Sequence, residues 1–420
     1  MRAVAAFLLS LLFAAAASGA TLGGEMVLLE NGPGRGTQAT PHVAFGKGLY
    51  LVVWREGWHG KGGRARVHAA RLGADGKVLD PKGIELAPAK TGVQTRPRVA
   101  FGGDVFLAVW QDLRNDKDYD VLGARISPEG KVLDAEPIKI AAGPRTQALP
   151  DVASDGKAFV VVWQGLQGNE TAYRGFARRI GADGRLGPAV THGATPQPRV
   201  AWCGNHYLVA YGTSNLDSLR LTRDGKPADP RRKPWDGRVV RGSKHPVFSV
   251  AALPGRGWLV VNHRSPPDPW GWGGPGGMRC YLMTPDGKLD YSLRPLVKQD
   301  RGGNWSKLPN WLDVGGRKRT TWPYGTSACA WDGRHAVVVW QRHHITGPKK
   351  SSFTNCDLMA ARVDGWKPVD AEAFAVAAGP EEERNPALAS DGNGALLCVY
   401  EKYGKDRKVR VVARTIETGD

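Results

Sequence analysis

Residues 97–110 read Pro97-Arg-Val-Ala-Phe-Gly-Gly-Asp-Val-Phe-Leu-Ala-Val-Trp110: Pro and a small apolar run, a tight Gly turn, and a hydrophobic strand that ends in Trp. Close copies of this pattern end at Trp54 and Trp163, and weaker copies end at Tyr211, Asn262, Trp340 and Tyr400. The seven copies follow one another at spacings of 48 to 78 residues. Repeats of this length that contain only strand-like segments are typical of a β-propeller, in which each repeat forms one blade.

Each repeat supplies four predicted strands. Pro-x-Val-Ala begins strand a, and the apolar run that ends in Trp is strand b, because β-branched and aromatic residues bounded by turns favour strands. Strand c contains an Ala-Arg pair, as in Val121-Leu-Gly-Ala-Arg-Ile126, and a Gly-containing hairpin then leads into strand d. We therefore predict an all-β protein, a seven-bladed β-propeller with four-stranded blades.

The two ends of the chain complete one blade in this prediction. The last repeat stops after a strand c at residues 409–416, with no strand d behind it. Met26-Val-Leu-Leu29 precedes the first repeat in the way that a strand d precedes the later repeats. We expect this N-terminal strand to join the last blade and close the ring, which removes exposed strand edges.

Residues 1–20 have the composition of a secretory signal peptide. Arg2 precedes a largely apolar run at residues 3–17, and Ser18-Gly-Ala20 offers the small residues of a cleavage site. We expect cleavage after Ala20 and a secreted or periplasmic protein without a membrane span.

We expect the mature chain, residues 21–420, to form a single seven-bladed domain and a monomer. The widest spacing, 78 residues, precedes the sixth repeat. It indicates an insertion at about residues 297–326, between blades five and six.

Five cysteines would ordinarily suggest disulfides in an exported protein. Cys329 and Cys356 fall in strands a and c of one blade, two strand spacings apart, which is too far for a disulfide. An odd number also leaves at least one thiol free in a monomer. We interpret the five as small core residues, with an inter-blade disulfide as the alternative.

The chain is strongly basic, with a formal net charge of +18. In an exported protein this charge favours acidic partners, such as uronate or sulfated polysaccharides or other cell-envelope polymers. Diffuse solubilising charge would account for it equally well. No long Lys/Arg run marks a nucleic-acid footprint, so nucleic acid is not expected as a partner.

Propeller geometry predicts where a ligand would bind. The loops that join strand b to c and strand d to the next strand a open on one face, and here they are long and rich in polar and aromatic residues. Guanidinium groups pair with carboxylate or sulfate, while indole faces stack on sugar rings. The predicted ligand-binding residues, mostly from blades five, six, seven and one, are Arg55, Trp58, His59, His263, Arg264, Trp270, Trp272, Trp305, Arg342, His343, His344 and Tyr403.

The same face could instead carry a polysaccharide lyase. Such an enzyme needs a base, an acid for the leaving oxygen, and positive charge beside the uronate carboxylate. The candidate bases are His59, His263, His343 and His344, the candidate acids are Tyr403 and Tyr324, and the candidate cations are Arg55, Arg264 and Arg342. No spacing in the sequence determines which of these residues meet in space.

Other functions have weaker support in the sequence. A glycoside hydrolase needs two carboxyl groups, and the loop face offers few; Ser154-Asp-Gly156 also lacks the spacing of a sialidase Asp box. Asp116-Lys-Asp-Tyr-Asp120 alternates carboxylates, but neither the Gly nor the distal Glu of a calcium loop follows. We predict no metal and no cofactor. A scaffold for protein partners is a further alternative.

At the level of the repeat, the chain resembles secreted bacterial propeller proteins with Pro-x-Val-Ala…Leu-Val-Val-Trp blades that continue through Ala-Arg-Val, Asp-Gly and Leu-Asp. The resemblance covers residues 26–416, and residues 97–134 carry the fullest copy. It implies the fold and an exported location, and it specifies no activity. The function favoured by the sequence is therefore an exported protein that binds an anionic glycan or envelope component.

Overall fold

The computed structural model describes residues 19–29, 37–57, 63–88, 92–115, 117–193, 196–212, 217–229, 247–264, 277–287, 321–322, 326–346, 352–364, 367–370, 373–406 and 408–419. Within these ranges the regular secondary structure consists of strands, arranged in seven antiparallel sheets. The predicted seven-bladed β-propeller is confirmed. None of the described residues belongs to a helix with the length and hydropathy that a membrane span requires.

Strands a and b form the inner half of every blade. In blades one to seven, strand a spans Gln38–Gly46, Gln94–Gly102, Gln147–Ser154, Arg199–Cys203, Val247–Leu253, Ser327–Trp331 and Glu382–Ser390. Strand b spans Leu49–Gly57, Val105–Asp112, Ala158–Gly165, His206–Tyr211, Gly257–Arg264, Ala336–Thr346 and Ala395–Tyr403. Each strand a contacts strand a of both neighbouring blades, so the seven form a closed ring around the axis.

Strands c and d form the outer half. Strand c spans Ala65–Gly73, Asp120–Ile126, Arg174–Gly181, Asp217–Leu221, Gly277–Met283, Ser352–Asp364 and Val409–Glu417. Strand d spans Ile84–Glu85, Ile138–Ala141 and Leu186–Thr191 in the first three blades, and is split into Lys367–Pro368 and Phe374–Ala377 in blade six. A short extra strand, Thr321–Trp322, pairs with strand b of blade six.

The N-terminal segment closes the ring, as predicted. Two short strands, Thr21–Leu22 and Met26–Val27, pair antiparallel with strand c of blade seven, where Thr21 lies opposite Glu417. Between them, the Glu25 carboxylate accepts hydrogen bonds of 2.7 Å from both Tyr400 Oη and Lys402 Nζ. The outermost strand of blade seven therefore comes from the start of the chain.

The strand-b aromatic residues pack between blades. Trp54, Trp110 and Trp340 are at most 1% exposed, and Trp163 is 2% exposed. Trp110 of blade two lies in one apolar cluster with Leu51 and Val53 of blade one, and this arrangement recurs around the ring. Because a fully buried large apolar side chain stabilises a fold by about 1.5–3 kcal/mol, these clusters hold neighbouring blades together.

An arginine of strand c links each of four blades to the next. Arg71 forms a bidentate pair with Asp80 of its own blade, and its Nη1 donates to Pro128 O in the following hairpin. The same arrangement holds for Arg125 with Asp134, Arg220 with Asp229, and Arg362 with Asp370. The Ala-Arg and Leu-Asp parts of the repeat are thus one structural unit, an inter-blade clamp.

All five cysteines are free thiols. Cys203, Cys280, Cys356 and Cys398 are buried, and Cys329 is partly buried. Burial raises the pKa of the Cys329 thiol to about 12, so it is protonated at neutral pH. The prediction of small core residues is confirmed for the four buried cysteines.

Candidate functional site

The variable position of the Pro-x-Val-Ala motif faces the propeller axis. Successive side chains of a strand point to opposite sides, so Val99 enters the core between blades while Arg98 projects towards the axis. The seven residues at this position, which we call the axial ring, are His42, Arg98, Asp151, Arg199, Ser249, Ala328 and Ala387. All seven line one cavity of about 620 Å³.

Charged and small side chains lie on opposite sides of the axial ring. Blades one to four contribute its three charged residues and its histidine, whereas blades five to seven contribute Ser249, Ala328 and Ala387. Small side chains on one side leave the volume that a ligand needs, and the opposite side supplies charge. The cavity is therefore suited to a ligand that carries a charged group at one end.

The cavity is strongly cationic. Four arginines line it, and among the described lining residues only Asp151 carries a carboxylate. The four are Arg55, Arg96, Arg98 and Arg199. The wall also holds neutral polar groups, namely Thr40, Thr95, Gln111, Tyr119, Ser249, Thr326, Ser327 and Asn385.

Asp151 is the carboxylate that faces the arginines of the cavity wall. Its side chain is 8% exposed, with Oδ1 at 3.7 Å from Arg98 Nε, and Oδ2 accepts a 2.9 Å hydrogen bond from the Val200 N–H. Burial raises the pKa of the Asp151 carboxyl, while Arg199 and Arg98 act to lower it. For Arg98 the pKa is lowered to about 9, first by burial and then by Arg199. The Asp151 carboxylate thus leaves these guanidinium groups with an excess of positive charge, which a bound anion would neutralise.

His42 is a neutral hydrogen-bonding group rather than a further cation. The Val99 N–H donates to its Nδ1 at 3.3 Å, which leaves the ring proton on Nε2. Burial, followed by the charges of Arg98 and Arg199, holds the pKa of His42 well below its usual range. At neutral pH the imidazole therefore offers the cavity an N–H donor.

A bulge in strand a shapes the rim of the cavity. The residue before Pro has φ near +54° in five blades, at Thr40, Arg96, Leu149, Gln197 and Asn385. In four of these blades the strand register shifts at this point, as between Thr95 and Arg98. The bulge turns a backbone N–H away from the sheet and towards the preceding blade.

The cavity lies at the face where the b–c and d–a loops emerge. Its lining includes the beginning of strand a, the end of strand b at Arg55 and Gln111, and Tyr119 from the b–c loop of blade two. This is the face on which the sequence predicts a ligand-binding site.

The predicted ligand-binding residues occupy different places. Arg55 is buried and lines the cavity. Arg342 pairs with Asp357 at 2.8 Å, and Tyr403 is 37% exposed, with the Arg384 guanidinium 5.8 Å above its ring. Neither of the two lines the cavity.

The other predicted site residues lie either in strands whose backbone is described or outside the described residues. His263 and Arg264 end strand b of blade five, and His343 and His344 lie in strand b of blade six, where the structure describes their backbone. Outside the described residues lie Trp58, His59, Trp270, Trp272, Trp305 and Tyr324. The roles assigned to these residues stay predictions.

Sequence reasoning missed the axial ring. His42, Arg98, Asp151 and Arg199 belong to the most regular part of the repeat, which by itself indicates only that they lie in strands. A signal was nevertheless present: at one position of an otherwise apolar motif, four successive repeats carry His, Arg, Asp and Arg.

No cluster of three or more His, Cys, Asp or Glu side chains with metal-binding geometry occurs in the described part of the chain.

No family model matches the sequence, and no curated protein matches it. Solved structures with a similar fold include the GH43_1 enzyme from Xanthomonas citri complexed with xylose, at 15% identity over 67% of this chain and 95% of that chain (TM-score 0.39). Trypanosoma rangeli sialidase in complex with the inhibitor DANA is 7% identical over 95% of this chain and 60% of that chain (TM-score 0.48). The catalytic domain of Coprinopsis cinerea GH62 alpha-L-arabinofuranosidase is 12% identical over 61% and 92% (TM-score 0.35). Similarity at this level leaves ligand and activity open.

Proposed function

We propose that this chain binds an anionic glycan, or an anionic cell-envelope component of the same chemistry, through the cavity at its axis. The observation that carries the proposal is the presence of four guanidinium groups against one carboxylate in the described wall of a single cavity. Guanidinium groups pair with carboxylate and sulfate through two parallel hydrogen bonds. The basic character of the whole chain, +18, would attract such a ligand from a distance.

The remaining wall supports a sugar rather than a bare inorganic anion. Hydroxyl and carboxamide groups such as Ser249, Ser327 and Gln111 can exchange hydrogen bonds with sugar hydroxyls. The volume of about 620 Å³ lies within the range of about 300–1,000 Å³ typical of small-ligand pockets. We therefore expect the cavity to take a chain end or a short oligosaccharide, with the rest of a polymer crossing the loop face.

The chemistry of His42 favours binding over elimination. A general base works best when its pKa lies near the working pH, and the pKa of His42 is depressed far below neutrality. Its Nδ1 lone pair is also occupied by the Val99 N–H. A lyase would therefore depend on the histidines predicted from the loops, and we keep it as the alternative to be separated by experiment.

The test measures binding and turnover on the same samples. Purified protein is titrated with uronate-containing, sulfated and neutral polysaccharides, while ultraviolet absorbance reports unsaturated uronates. We expect binding of the charged polymers alone, and a loss of about tenfold in affinity for Arg98→Gln or Arg199→Gln, since each removes a charge-assisted contact. Arg185→Gln removes the same charge from a residue 91% exposed in its side chain and serves as the control.

The outcomes separate the functions. Binding of the charged polymers that depends on Arg98 and Arg199, without new absorbance, supports the binding protein. Rising absorbance would establish the lyase instead. If no charged polymer binds, or if the control variant weakens binding as much as the cavity variants, the proposal fails.

A further inference from the structure

A side-chain oxygen crosses most of the described blade boundaries near the axis. At four boundaries the residue that follows the strand-b aromatic accepts a hydrogen bond from the bulge N–H of the next blade. The four contacts are Gln111 Oε1 with Leu149 N (3.1 Å), Gln164 Oε1 with Gln197 N (2.9 Å), Gln341 Oε1 with Asn385 N (3.0 Å) and Glu401 Oε1 with Thr40 N (2.7 Å). Three acceptors are carboxamides, and the fourth is a carboxylate.

The boundary between blades one and two breaks this rule. Arg55 stands at the position of these acceptors, because it follows Trp54 and pairs with Ala39 as Gln111 pairs with Thr95. A guanidinium group has no acceptor. Among the described residues, no side chain accepts a hydrogen bond from the Arg96 N–H, although Arg96 has the same backbone conformation as its four counterparts.

The position at which this boundary lacks an acceptor lies in the wall of the cavity. Arg55 and Arg96 both line it, beside Arg98, and the Arg55 side chain is buried. Burial lowers the pKa of Arg55, and the negative charge of Glu401 opposes that effect. At this boundary the side chain in the acceptor position is thus a donor, whereas the four described boundaries with the same bulge have an acceptor there.

We propose that a carboxylate group of the ligand occupies this position, where it accepts hydrogen bonds from the Arg55 guanidinium and the Arg96 N–H. This inference rests on the proposed function and specifies the anion. Glu401 shows that a carboxylate fits this position, since it accepts a hydrogen bond from the equivalent N–H, that of Thr40. The ligand class is therefore a sugar with a carboxylate, a uronate, in preference to a sulfated sugar.

Arg55→Gln is the decisive variant. It gives this boundary the same acceptor side chain as those of Gln111 and Gln164, so the new carboxamide oxygen should accept a hydrogen bond from the Arg96 N–H and occupy the position of the ligand carboxylate. The probes are galacturonate, its methyl ester and galactose 6-sulfate, compared by isothermal titration at low salt. Arg185→Gln is the matched control for the lost charge, and Arg55→Lys keeps the charge without the planar fork.

We expect wild type to bind galacturonate more tightly than either other sugar, and Arg55→Gln to lose about tenfold or more in affinity because a charge-assisted hydrogen bond is lost. Arg55→Lys should be intermediate. Amide hydrogen exchange gives an independent readout. The Arg96 N–H should be protected in wild type by galacturonate, and in Arg55→Gln without any ligand.

Failure of the subsite and failure of the proposed function give different results. Unchanged galacturonate affinity in Arg55→Gln, together with a loss in Arg98→Gln, would overturn the subsite and leave anion binding in place. Preference for galactose 6-sulfate in wild type would overturn the choice of carboxylate. Absence of binding for every charged sugar and charged polymer would overturn the proposed function itself.

Discussion

Arg98 and Asp151 lie side by side on the axial faces of adjacent blades, with 3.7 Å between Nε and Oδ1. Asp151 is the one described carboxylate in a wall that holds four arginines. The pair therefore controls how much positive charge the cavity presents to a ligand.

Asp151→Asn should strengthen anion binding and weaken the fold. At an effective dielectric constant of about 20, removing one charge a few ångströms from a bound anion is worth about 1 kcal/mol or more, so affinity should rise about fivefold or more. The unfolding midpoint without ligand should fall, because Arg98 and Arg199 lose their counter-charge, and added anion should restore it. Titration calorimetry and urea unfolding measure the two effects. Asp104→Asn, at a residue 78% exposed in its side chain, is the control. Weaker anion binding in Asp151→Asn would contradict the charge balance described here.

Arg362→Ala tests the inter-blade clamp. Arg362 Nη2 lies 2.7 Å from Asp370 Oδ1, and Nη1 donates to Thr418 O at 2.6 Å, with the Asp370 side chain fully buried. Removing one partner of a buried pair leaves an uncompensated charge, so we expect a loss of about 3–5 kcal/mol in the free energy of unfolding. Arg185→Ala breaks an exposed pair with Asp183 and should cost at most about 1 kcal/mol. Equal urea midpoints for the two variants would show that the clamp contributes little.

Glu383→Gln tests a pH dependence. Glu383 is 2% exposed, and burial raises the pKa of its carboxyl from 4.5 to about 8, with Lys402 opposing and Asp357, Glu25 and Glu381 adding to the rise. Between those pH values the folded state holds a proton that the unfolded state has lost, so stability falls as pH rises through this window. The variant lacks this titration.

Urea midpoints at pH 5, 7 and 9 measure the effect. The midpoint of Glu383→Gln relative to wild type should increase from pH 5 to pH 9. Glu136→Gln, at an exposed carboxylate, should track wild type at every pH. A constant difference between Glu383→Gln and wild type would mean that Glu383 is ionised in the folded protein throughout.

Gly46→Ala tests the packing between blades one and two. A Cβ at Gly46 would lie 2.1–2.4 Å from ring atoms of Phe101, so the ring would have to move. Overpacking of this kind costs about 1–3 kcal/mol. At Gly24 a Cβ would meet no atom within 4 Å, so Gly24→Ala should leave the urea midpoint nearly unchanged. A stabilised Gly46→Ala protein would show that this interface is looser than the contacts indicate.

The sequence predicted the fold because the signals of a propeller are local. The Gly turn and the apolar strand before Trp110 are enough to identify one blade, and the spacing of the repeats then gives the number of blades. Closure by the N-terminal strand also followed from counting strands at the two ends. Each of these inferences needs only neighbouring residues and the period-two alternation of a strand.

The axial site was not predictable in the same way. His42, Arg98, Asp151 and Arg199 are separated by about fifty residues each, and they meet only because the ring closes. The sequence predicts Arg55 as a ligand-binding residue from its position near a loop, but its proposed role depends on the hydrogen bonds that Gln111 and Gln164 accept at the equivalent position. Such a departure from a rule becomes visible only when the regular contacts of Gln111 and Gln164 are known.

Ring closure depends on contacts between residues that are far apart in the sequence. Thr21 and Glu417, which lie opposite each other in blade seven, are separated by 396 residues. The other blades pair strands that lie close together in the sequence, but blade seven needs residues that are 396 positions apart. Contacts of such long range slow folding. Until these contacts form, both edges of the ring are open, so closing the ring also protects its strand edges from pairing with other molecules.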